Sequence, residues 1–355
     1  MKQNIKLFFH KVFNREYWPF LIVYFPTFFF WAYFSIKAKS FFFFSPSNPG
    51  IKNGGMAMES KKEIYDMLPS GIYPKTILVK PGDDFAKIIQ QMQENEISFP
   101  CIAKPDMGLK GKAVQKINNI DSLKRYLSIS HVDSLIQQLI PYLLEAGIFY
   151  YRFPGDLQGK ISGIVAKEFM IVTGDGKSST QDLIKRNTRF YLQLEALKKM
   201  YGEKLNEILI AGEERNLMPY GNHARGSKFT DETWRVNEKL TKIINDICIK
   251  VDGFYFGRMD IKFASWEELE QGKNFSIIEL NGAGSEPTHI YDPSHSIFFA
   301  WKEIIRHWNI MFKIGRINYK TGTQYMTFAE GIQMLKENNK LIDQLILQSN
   351  KLTED

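Results

Sequence analysis

The sequence predicts an α+β fold for most of the chain, preceded by an aromatic-rich, membrane-associated N-terminal segment. Two observations predict the fold. Apolar strand-like runs and helical periodicities both occur, and they alternate too irregularly for a regular doubly wound sheet. A third observation, an uncharged aromatic stretch at residues 17–36, predicts the membrane-associated segment.

The composition is that of a folded protein and excludes few functions. The chain has 355 residues, enough for two domains or for one domain with subdomains, and 44% of them are hydrophobic. A net charge of +7 suits nucleic acid, anionic lipid or phosphorylated small molecules alike. The sequence shows no basic stripe interleaved with aromatic residues, so we expect no nucleic-acid binding. Cys101 and Cys248 lack metal-ligand spacing, and we expect a reducing compartment.

The aromatic stretch at residues 17–36 is about long enough to span a bilayer. A second apolar patch follows at residues 41–44. Three interpretations stay open at this stage: a transmembrane helix, a monotopic or re-entrant anchor, and a buried core helix.

The flanking residues favour an anchor over a full crossing. Basic residues from Lys2 to Arg15 precede the stretch, where a single span would place them outside the cytoplasm, against the positive-inside rule. Pro19 and Pro26 also disfavour a straight spanning helix. We expect the chain to be membrane-associated or single-pass through residues 17–44, on the cytoplasmic side of the cell membrane.

Local patterns divide the chain into four parts. These are a membrane-associated segment at 1–45, a connector with a short helical or α/β lead-in at 46–98, a main domain at 99–320 and an amphipathic helix within 321–355. Helices are predicted over residues 84–93, 121–127, 231–251 and 328–347. Strands are predicted over residues 99–104, 134–140, 161–172, 254–263 and 275–280.

A first candidate motif covers residues 102–114. A strand ends at Lys104, and a loop follows with Gly108 and Gly111 among lysines. Glycines let backbone amides approach phosphate oxygens, and lysines supply positive charge. The pattern is not the Gly-Lys-Ser/Thr phosphate loop. A hairpin with solvated lysines is the alternative interpretation.

A second candidate motif consists of two polar pairs on apolar strands. Arg258 and Asp260 form one pair, and Glu279 and Asn281 form the other. Because side chains alternate along a strand, the members of each pair share a face. Carboxylate and amide oxygens are suitable ligands for Mg²⁺. A structural ion pair on a sheet face is the alternative, but a charged face between apolar flanks is costly without a ligand.

Two further segments carry polar loops. Residues 172–184 contain Gly-Asp-Gly, which predicts a tight turn followed by a helix capped by Ser179 or Thr180. Residues 221–229 contain a histidine, an arginine and a lysine. A surface loop with solvated charges explains the second segment as well as anion binding does.

Taken in order, these motifs resemble the ATP-grasp superfamily over about residues 99–293. The Arg-x-Asp and Glu-x-Asn pairs look like those of D-alanine–D-alanine ligase. The Gly-Asp-Gly segment and the Gly-Asn loop look like those of cyanophycin synthetase and the glutathione-synthesising ligases. The resemblance implies an ATP-grasp fold, in which two α/β subdomains grip ATP.

The resemblance also implies roles for the matched positions. The residues expected to bind the nucleotide are Lys104, Gly108, Lys110, Gly111, Gln138, Leu139, Ile140, Glu145 and Lys167. The hinge at 138–141 would contact the adenine, and Glu145 would contact the ribose. Metal binding falls to Asp260, Glu279 and Asn281, which would hold two Mg²⁺ ions, with Mn²⁺ able to substitute. Catalysis falls to Arg258, Lys167, Asn222 and Arg225.

The implied activity is that of an ATP- and Mg²⁺-dependent ligase. A small-molecule carboxylate would become an acylphosphate, and a small-molecule amine would attack it, with Arg258 and the amides of residues 282–285 holding the oxyanion. His289 is a candidate base, although a structural hydrogen bond is its simpler role. The alternatives are an ATP-grasp kinase that stops at phosphoryl transfer and a non-catalytic, membrane-bound nucleotide-binding protein. Both substrates and the oligomeric state stay unassigned.

Two departures from the family pattern bear on the substrate. Gln138 stands where many relatives have glutamate. We expect this difference to matter little, because backbone groups make most of the contacts to adenine. The stretch between the aromatic segment and Lys104 is too short for the substrate-binding domain that many relatives carry there. We therefore expect the carboxylate to be recognised by residues 48–61, by loops or at the membrane surface.

Overall fold

The computed structural model describes residues 2–108, 111–218 and 226–352. The helices within these ranges are α1 (Lys2–Phe13), α2 (Phe20–Tyr24), α3 (Phe28–Ala38), α4 (Lys61–Met67), α5 (Phe85–Glu94), α6 (Ile120–Ile129), α7 (Thr180–Arg186), α8 (Thr188–Tyr191), α9 (Leu194–Tyr201), α10 (Glu238–Cys248), α11 (Trp266–Leu269), α12 (Ile297–Lys320) and α13 (Phe328–Lys351). The strands are β1 (Thr76–Val79), β2 (Cys101–Pro105), β3 (Gln115–Ile117), β4 (Ser134–Gln138), β5 (Leu144–Tyr151), β6 (Lys160–Glu168), β7 (Met170–Thr173), β8 (Glu214–Met218), β9 (Lys228–Asp231), β10 (Phe256–Phe263) and β11 (Phe275–Asn281).

The strands form three antiparallel sheets, and the predicted α+β class is confirmed. A four-stranded sheet has the order β1-β4-β2-β3, a five-stranded sheet the order β11-β10-β5-β6-β9, and β7 pairs with β8. The four-stranded sheet includes β1, so it begins before residue 99, the predicted start of the main domain. The lead-in thus supplies part of this sheet.

The two faces of the five-stranded sheet differ in what covers them. On one face, Ile148 and Ile261 pack with Leu240 and Ile244 of α10 in a fully buried apolar cluster. On the other face, the aromatic residues at one end of β5 and β10 pack against α12 and Phe43. The rest of this second face carries the polar side chains of the candidate site described below, together with buried Val165 and Phe229.

The N-terminal segment packs along α12 and does not extend as one straight helix. Among the described residues, one helical stretch, Phe20–Ala38, is long and apolar enough to cross a membrane by length and composition. Its mean hydropathy is 1.4. A 3₁₀ turn at Phe25–Thr27 contains Pro26 and separates α2 from α3. The inward face packs on α12, where the indole nitrogen of Trp301 donates to the carbonyl of Val23 at 2.8 Å.

The connector after α3 is ordered by Asn48, a fully buried residue. Its amide nitrogen donates to the carbonyls of Gly54 and Phe256 at 2.9 and 2.8 Å. Its amide oxygen accepts from the backbone amides of Tyr255 and Phe256, both at 2.9 Å. One side chain thus ties the connector to the start of β10.

Two predicted elements differ from those observed, and one observed helix was not predicted. The strand expected over 161–172 is two strands in different sheets, because the chain leaves the five-stranded sheet after β6 and pairs again through β7. The helix expected over 231–251 begins only at Glu238, where Asn237 caps it. The long helix α12 was not predicted, since buried Glu303, His307 and Asn318 interrupt its apolar pattern.

Candidate active site

The polar face of the five-stranded sheet brings both predicted pairs together. Across β10 and β11, Arg258 pairs with Asn281 and Asp260 pairs with Glu279. Cross-strand partners lie on the same face of a sheet, with β-carbons about 5 Å apart. The i, i+2 prediction from sequence therefore describes this arrangement correctly.

Asp260 lies between two cations. Arg258 donates from Nε to Oδ1 at 2.9 Å and from Nη2 to Oδ2 at 3.2 Å. The Lys167 Nζ lies 3.3 Å from Oδ2. Burial opposes the ionised carboxyl, but Arg258 and Lys167 hold the pKa of Asp260 below its usual value. Asp260 is therefore a fixed negative charge.

Lys167 also binds Glu145, which is opposite Lys262 on the neighbouring strand. The Lys167 Nζ lies 2.7 Å from the Glu145 carboxylate, and both side chains are buried. The Lys262 Nζ lies 4.0 Å from the same carboxylate. Burial opposes the lysine charge, but Asp260 and Glu145 raise the pKa of Lys167. Glu145 and Lys167, which sequence placed in the nucleotide site, thus share this face.

Gly147 makes room for the central ion pair. It is opposite Asp260 on β5. A β-carbon at this position would lie 2.9 Å from the Asp260 Oδ1 and 3.0 Å from the Arg258 Cδ. The arginine and carboxylate therefore lie flat across β5 only because residue 147 lacks a side chain.

Lys104 reaches this region from the four-stranded sheet. Its Nζ donates to the Tyr65 hydroxyl at 2.9 Å and to the Ile278 carbonyl of β11 at 3.3 Å. Burial lowers the pKa of Lys104 to about 8, and the Glu279 and Asp106 carboxylates oppose this shift. The lysine predicted at the strand end thus joins the two sheets.

Lys61 links the start of the glycine loop to Glu279. Its Nζ lies 3.2 Å from the Asp106 carbonyl, 3.5 Å from the Gly108 carbonyl and 3.8 Å from the Glu279 carboxylate. Glu59 adds a second carboxyl close by. Burial raises its pKa, with a further contribution from Glu279 opposed by Lys61.

The donor set of Asp260, Glu279 and Asn281 fits Mg²⁺ in its chemistry. Two carboxylates and one amide are hard oxygen ligands. Glu279 keeps a third of its side chain exposed, and its ion pair with Lys61 is long. The buried Asn281 Nδ2 has no hydrogen-bond partner among the described residues, so this N–H donor has capacity left for an acceptor such as a phosphate oxygen, whereas a metal would bind the amide oxygen. No group of three His, Cys, Asp or Glu side chains in the described ranges suits a metal.

In the loop after β11, three of the four backbone amides predicted to hold an oxyanion already donate to other acceptors. The amides of Ala283 and Gly284 donate to the carbonyls of Gly54 and Gly55 at 3.0 and 2.8 Å, and the amide of Ser285 donates back to residue 282. These three amides are therefore already used. The connector, which we expect to help recognise the substrate, lies against this loop.

Glu286 contacts Arg258 on the side away from Asp260. Its Oε1 accepts from the hydroxyls of Tyr24 and Tyr291 at 2.8 and 3.1 Å. Its carbonyl accepts from the Arg258 Nη1 at 3.1 Å. Through Tyr24, the inward face of α2 thus reaches the residues that surround the central arginine.

The remaining predicted residues lie at the end of β4, in the glycine loop or outside the described residues. Gln138 ends β4, where its backbone amide donates to the Lys75 carbonyl at 2.9 Å, and Leu139 and Ile140 follow it. Gly111 has a φ of 69°, a left-handed conformation that favours glycine. Lys110, Asn222 and Arg225 lie outside the described residues, as does His223.

Two other predicted positions have structural hydrogen bonds. His289 is buried and its Nε2 lies 3.1 Å from Glu303, so the simpler expectation of a structural role fits. In the Gly-Asp-Gly turn, Asp175 accepts from the backbone amides of residues 177 and 178. Ser179 caps the helix that follows, one of the two caps predicted.

Sequence reasoning missed Lys61, Lys262 and Glu286. Lys262 continues the Arg258–Asp260 alternation by one more step, so the strand periodicity could have found it. Lys61 and Glu286 have no such local signal, because each reaches the site through a contact between distant parts of the chain.

Comparison of the sequence with protein families and with curated proteins finds no match. Comparison with solved structures finds similar folds. A bifunctional glutathione synthetase from Pasteurella multocida aligns with 68% of this chain and 36% of its own, at 14% identity and a TM-score of 0.35.

Two further similar structures are dipeptide-type ligases by name. The VanG D-Ala:D-Ser ligase from Enterococcus faecalis aligns with 75% of this chain and 62% of its own, at 12% identity and a TM-score of 0.42. The D-alanine–D-alanine ligase from Bacillus anthracis aligns with 76% and 70%, at 14% identity and 0.44. The chain thus spans less than two thirds of the first two structures.

Proposed function

We propose that the chain is an ATP- and Mg²⁺-dependent carboxylate–amine ligase that acts through an acylphosphate. One observation carries the proposal: three buried cations from two sheets, Lys104, Lys167 and Arg258, lie around the carboxylates of Asp260 and Glu279. Buried charges are costly unless they are paired. A nucleoside triphosphate with a bound metal ion suits such a site. The cations would pair with its phosphates, and the carboxylates would bind its metal.

In the first step, a substrate carboxylate oxygen attacks the γ-phosphorus of ATP. A new P–O bond forms, the bond between the γ-phosphorus and the bridging oxygen breaks, and ADP leaves. Lys104 and Lys167 offset the negative charge that otherwise repels the carboxylate. Positioning and electrostatic stabilisation supply most of the acceleration in such transfers.

In the second step, the amine nitrogen attacks the acyl carbon. The C–O bond to phosphate breaks, phosphate leaves, and the nitrogen gives its proton to solvent water. Arg258 stabilises the negative oxygen of the tetrahedral intermediate. Its guanidinium is held from both sides, by Asp260 and by the Glu286 carbonyl, so little reorganisation is needed as charge develops.

Asp260, Glu279 and Asn281 would hold Mg²⁺, with Mn²⁺ as a substitute. The metal would neutralise phosphate charge when bound. Lys110, Gly111, Asn222 and Arg225 stay proposed contacts of the phosphates or acyl group, and residues 138–140 the proposed adenine hinge. We also propose that the enzyme works on the cytoplasmic side of a membrane. The exposed aromatic residues of α2 and α3 support the contact with a membrane, and the use of ATP supports the cytoplasmic side.

The test is Mg²⁺-dependent ADP release by the full chain with a panel of small carboxylates and amines. The full chain is needed because Asn48 and Gly55 hold the β10 and β11 loops. Release that needs both a carboxylate and an amine is expected in the wild type. It should be lost in Glu279→Gln and kept in Glu267→Gln, which makes the same change on an exposed residue of α11.

The other outcomes assign the alternatives. ADP release with a phosphorylated product and no need for an amine would identify a kinase. Nucleotide binding without turnover across the panel would favour a non-catalytic protein. Absence of nucleotide binding in the wild type would contradict the proposal as a whole.

A further inference from the structure

A groove of about 670 Å³ lies at the C-terminal end of α3. Four of its lining residues are exposed cations, Lys37 in the last turn of α3, Lys39 directly after it, and Arg316 and Lys320 near the end of α12. None of the groove-lining residues in the described ranges is acidic. The groove is therefore complementary in charge to an anionic group.

An apolar surface continues directly from this groove. We use the name outer face for the exposed large apolar side chains of α2 and α3. They are Phe20, Leu21, Ile22, Phe28, Phe29, Phe30, Tyr33 and Ile36. Phe29 is 71% exposed and Ile36 is 76% exposed. Phe41 and Phe328, also exposed, line the groove itself, so that cationic and apolar groups meet at one place. Such a large exposed apolar patch marks an interaction surface.

The helices that carry the outer face are fixed to the body of the protein. Tyr24 binds Glu286, and Trp31 packs on Trp308 with ring centroids 4.9 Å apart. Near the end of α3, Phe34 stacks on Phe312 with centroids 5.0 Å apart. A helix held along its whole length does not leave the protein to cross a bilayer. It can insert only its outer side.

We propose that the outer face and the groove form a docking site for a bilayer that contains anionic phospholipid, with the headgroup phosphate in the groove. The aromatic side chains would enter the boundary between headgroups and acyl chains, as amphipathic helices lying in the interface do. The four cations would bind the headgroups. This extends the membrane association proposed above and does not depend on catalysis.

A second copy of the chain is a less suitable occupant. The groove and the outer face are contiguous, and two copies joined through them would bring two cationic grooves close together. Like charges at an interface are unfavourable. An anionic bilayer matches both parts of the surface at once.

The experiment is flotation of the full-length protein with vesicles of phosphatidylcholine alone or mixed with phosphatidylglycerol. Each cation near an anionic surface raises binding about fivefold, which is about 1 kcal/mol. Arg316→Gln with Lys320→Gln should lower binding to the mixed vesicles about 25-fold and leave binding to phosphatidylcholine unchanged. The matched control is Lys239→Gln with Lys250→Gln, two exposed lysines at α10, on the opposite side of the five-stranded sheet. It should bind like the wild type.

A second variant tests the outer face. Phe29→Ser with Ile36→Ser should weaken binding to both kinds of vesicle and leave the unfolding temperature unchanged, because both side chains are exposed. The proposal is overturned if the groove variant binds mixed vesicles as the wild type does, or if the control loses as much. It is also overturned if light scattering shows a dimer that the Phe29 and Ile36 changes dissociate.

Discussion

Lys104 makes the candidate site sensitive to pH in the mildly alkaline range. Its amine faces the Tyr65 hydroxyl, the Ile278 carbonyl and the carboxylates of Glu279 and Asp106. Burial raises the pKa of Tyr65, so the phenol does not titrate near neutral pH. The amine of Lys104, with a pKa of about 8, does.

The sign of the effect follows from the charge of the amine. Below about pH 8 the amine is protonated and can pair with a nucleotide phosphate. Above that value the free protein loses the proton, and binding must take one up. We expect the affinity for an ATP analogue to fall by up to about tenfold per pH unit above pH 8, measured by titration calorimetry.

Lys104→Arg supplies the control, because an arginine side chain keeps its charge throughout this range. Its affinity should vary little with pH. A wild-type affinity that stays constant from about pH 7 to about pH 10 would show that Lys104 does not contact the phosphates.

For single residues, the sequence predicts well which side chains share a face of a strand, and it predicts poorly which distant residues come into contact. Arg258 and Asp260 share a face because strand geometry requires it, and the same holds for Glu279 and Asn281. Lys61 could not be found this way. Its contact with Glu279 joins the start of a short helix to a distant strand, and no local sequence pattern predicts such a contact.

Among the elements, α3 is the one whose two sides are predicted to differ most in their effect on stability. Phe34 is 4% exposed and packs on Phe43 and Phe312. Phe34→Ala should lower the free energy of unfolding by about 3–5 kcal/mol, because it removes a buried aromatic ring. Phe29→Ala, on the outer face, should change it by less than about 0.5 kcal/mol.

Urea unfolding of both variants provides the measurement. Equal and small effects would mean that α3 is not packed on α12 in solution, as expected for a helix that crosses a membrane. A large effect at Phe34 alone would support the packing of this helix on the protein.

The elements also show where sequence periodicity fails. Helix α13 was predicted, because its apolar positions repeat regularly on a polar background. Helix α12 carries Glu303, His307 and Asn318 on its buried side. Their partners, including His289 and Ser162, come from distant segments, so the helix looks non-periodic until the fold is known.

For the whole molecule, the contact between the two sheets predicts how a nucleotide affects stability. Lys104 belongs to the four-stranded sheet and Lys167 to the five-stranded sheet. A ligand that binds both should stabilise the folded protein by about 2.7 kcal/mol at a concentration near 100 times its Kd. Thermal unfolding with a nonhydrolysable ATP analogue should then show a rise in Tm of several degrees.

Variants on each sheet test whether the nucleotide binds both lysines. Lys104→Met and Lys167→Met should each reduce the rise in Tm. Lys116→Met, an exposed lysine on β3 of the four-stranded sheet, should keep it. A rise that survives loss of both site lysines would mean that the nucleotide binds elsewhere.

The packing of residues 20–38 on α12 has a consequence for synthesis. Val23 and the Trp301 side chain that binds its carbonyl are 278 positions apart. At about 5–20 residues per second, the apolar helices emerge from the ribosome roughly 15–60 s before their partner exists. During that interval both sides of α2 and α3 are uncovered, and we expect a chaperone or a bilayer to shield them. A bilayer that shields both sides during translation would then keep contact only with the outer face once α12 has folded.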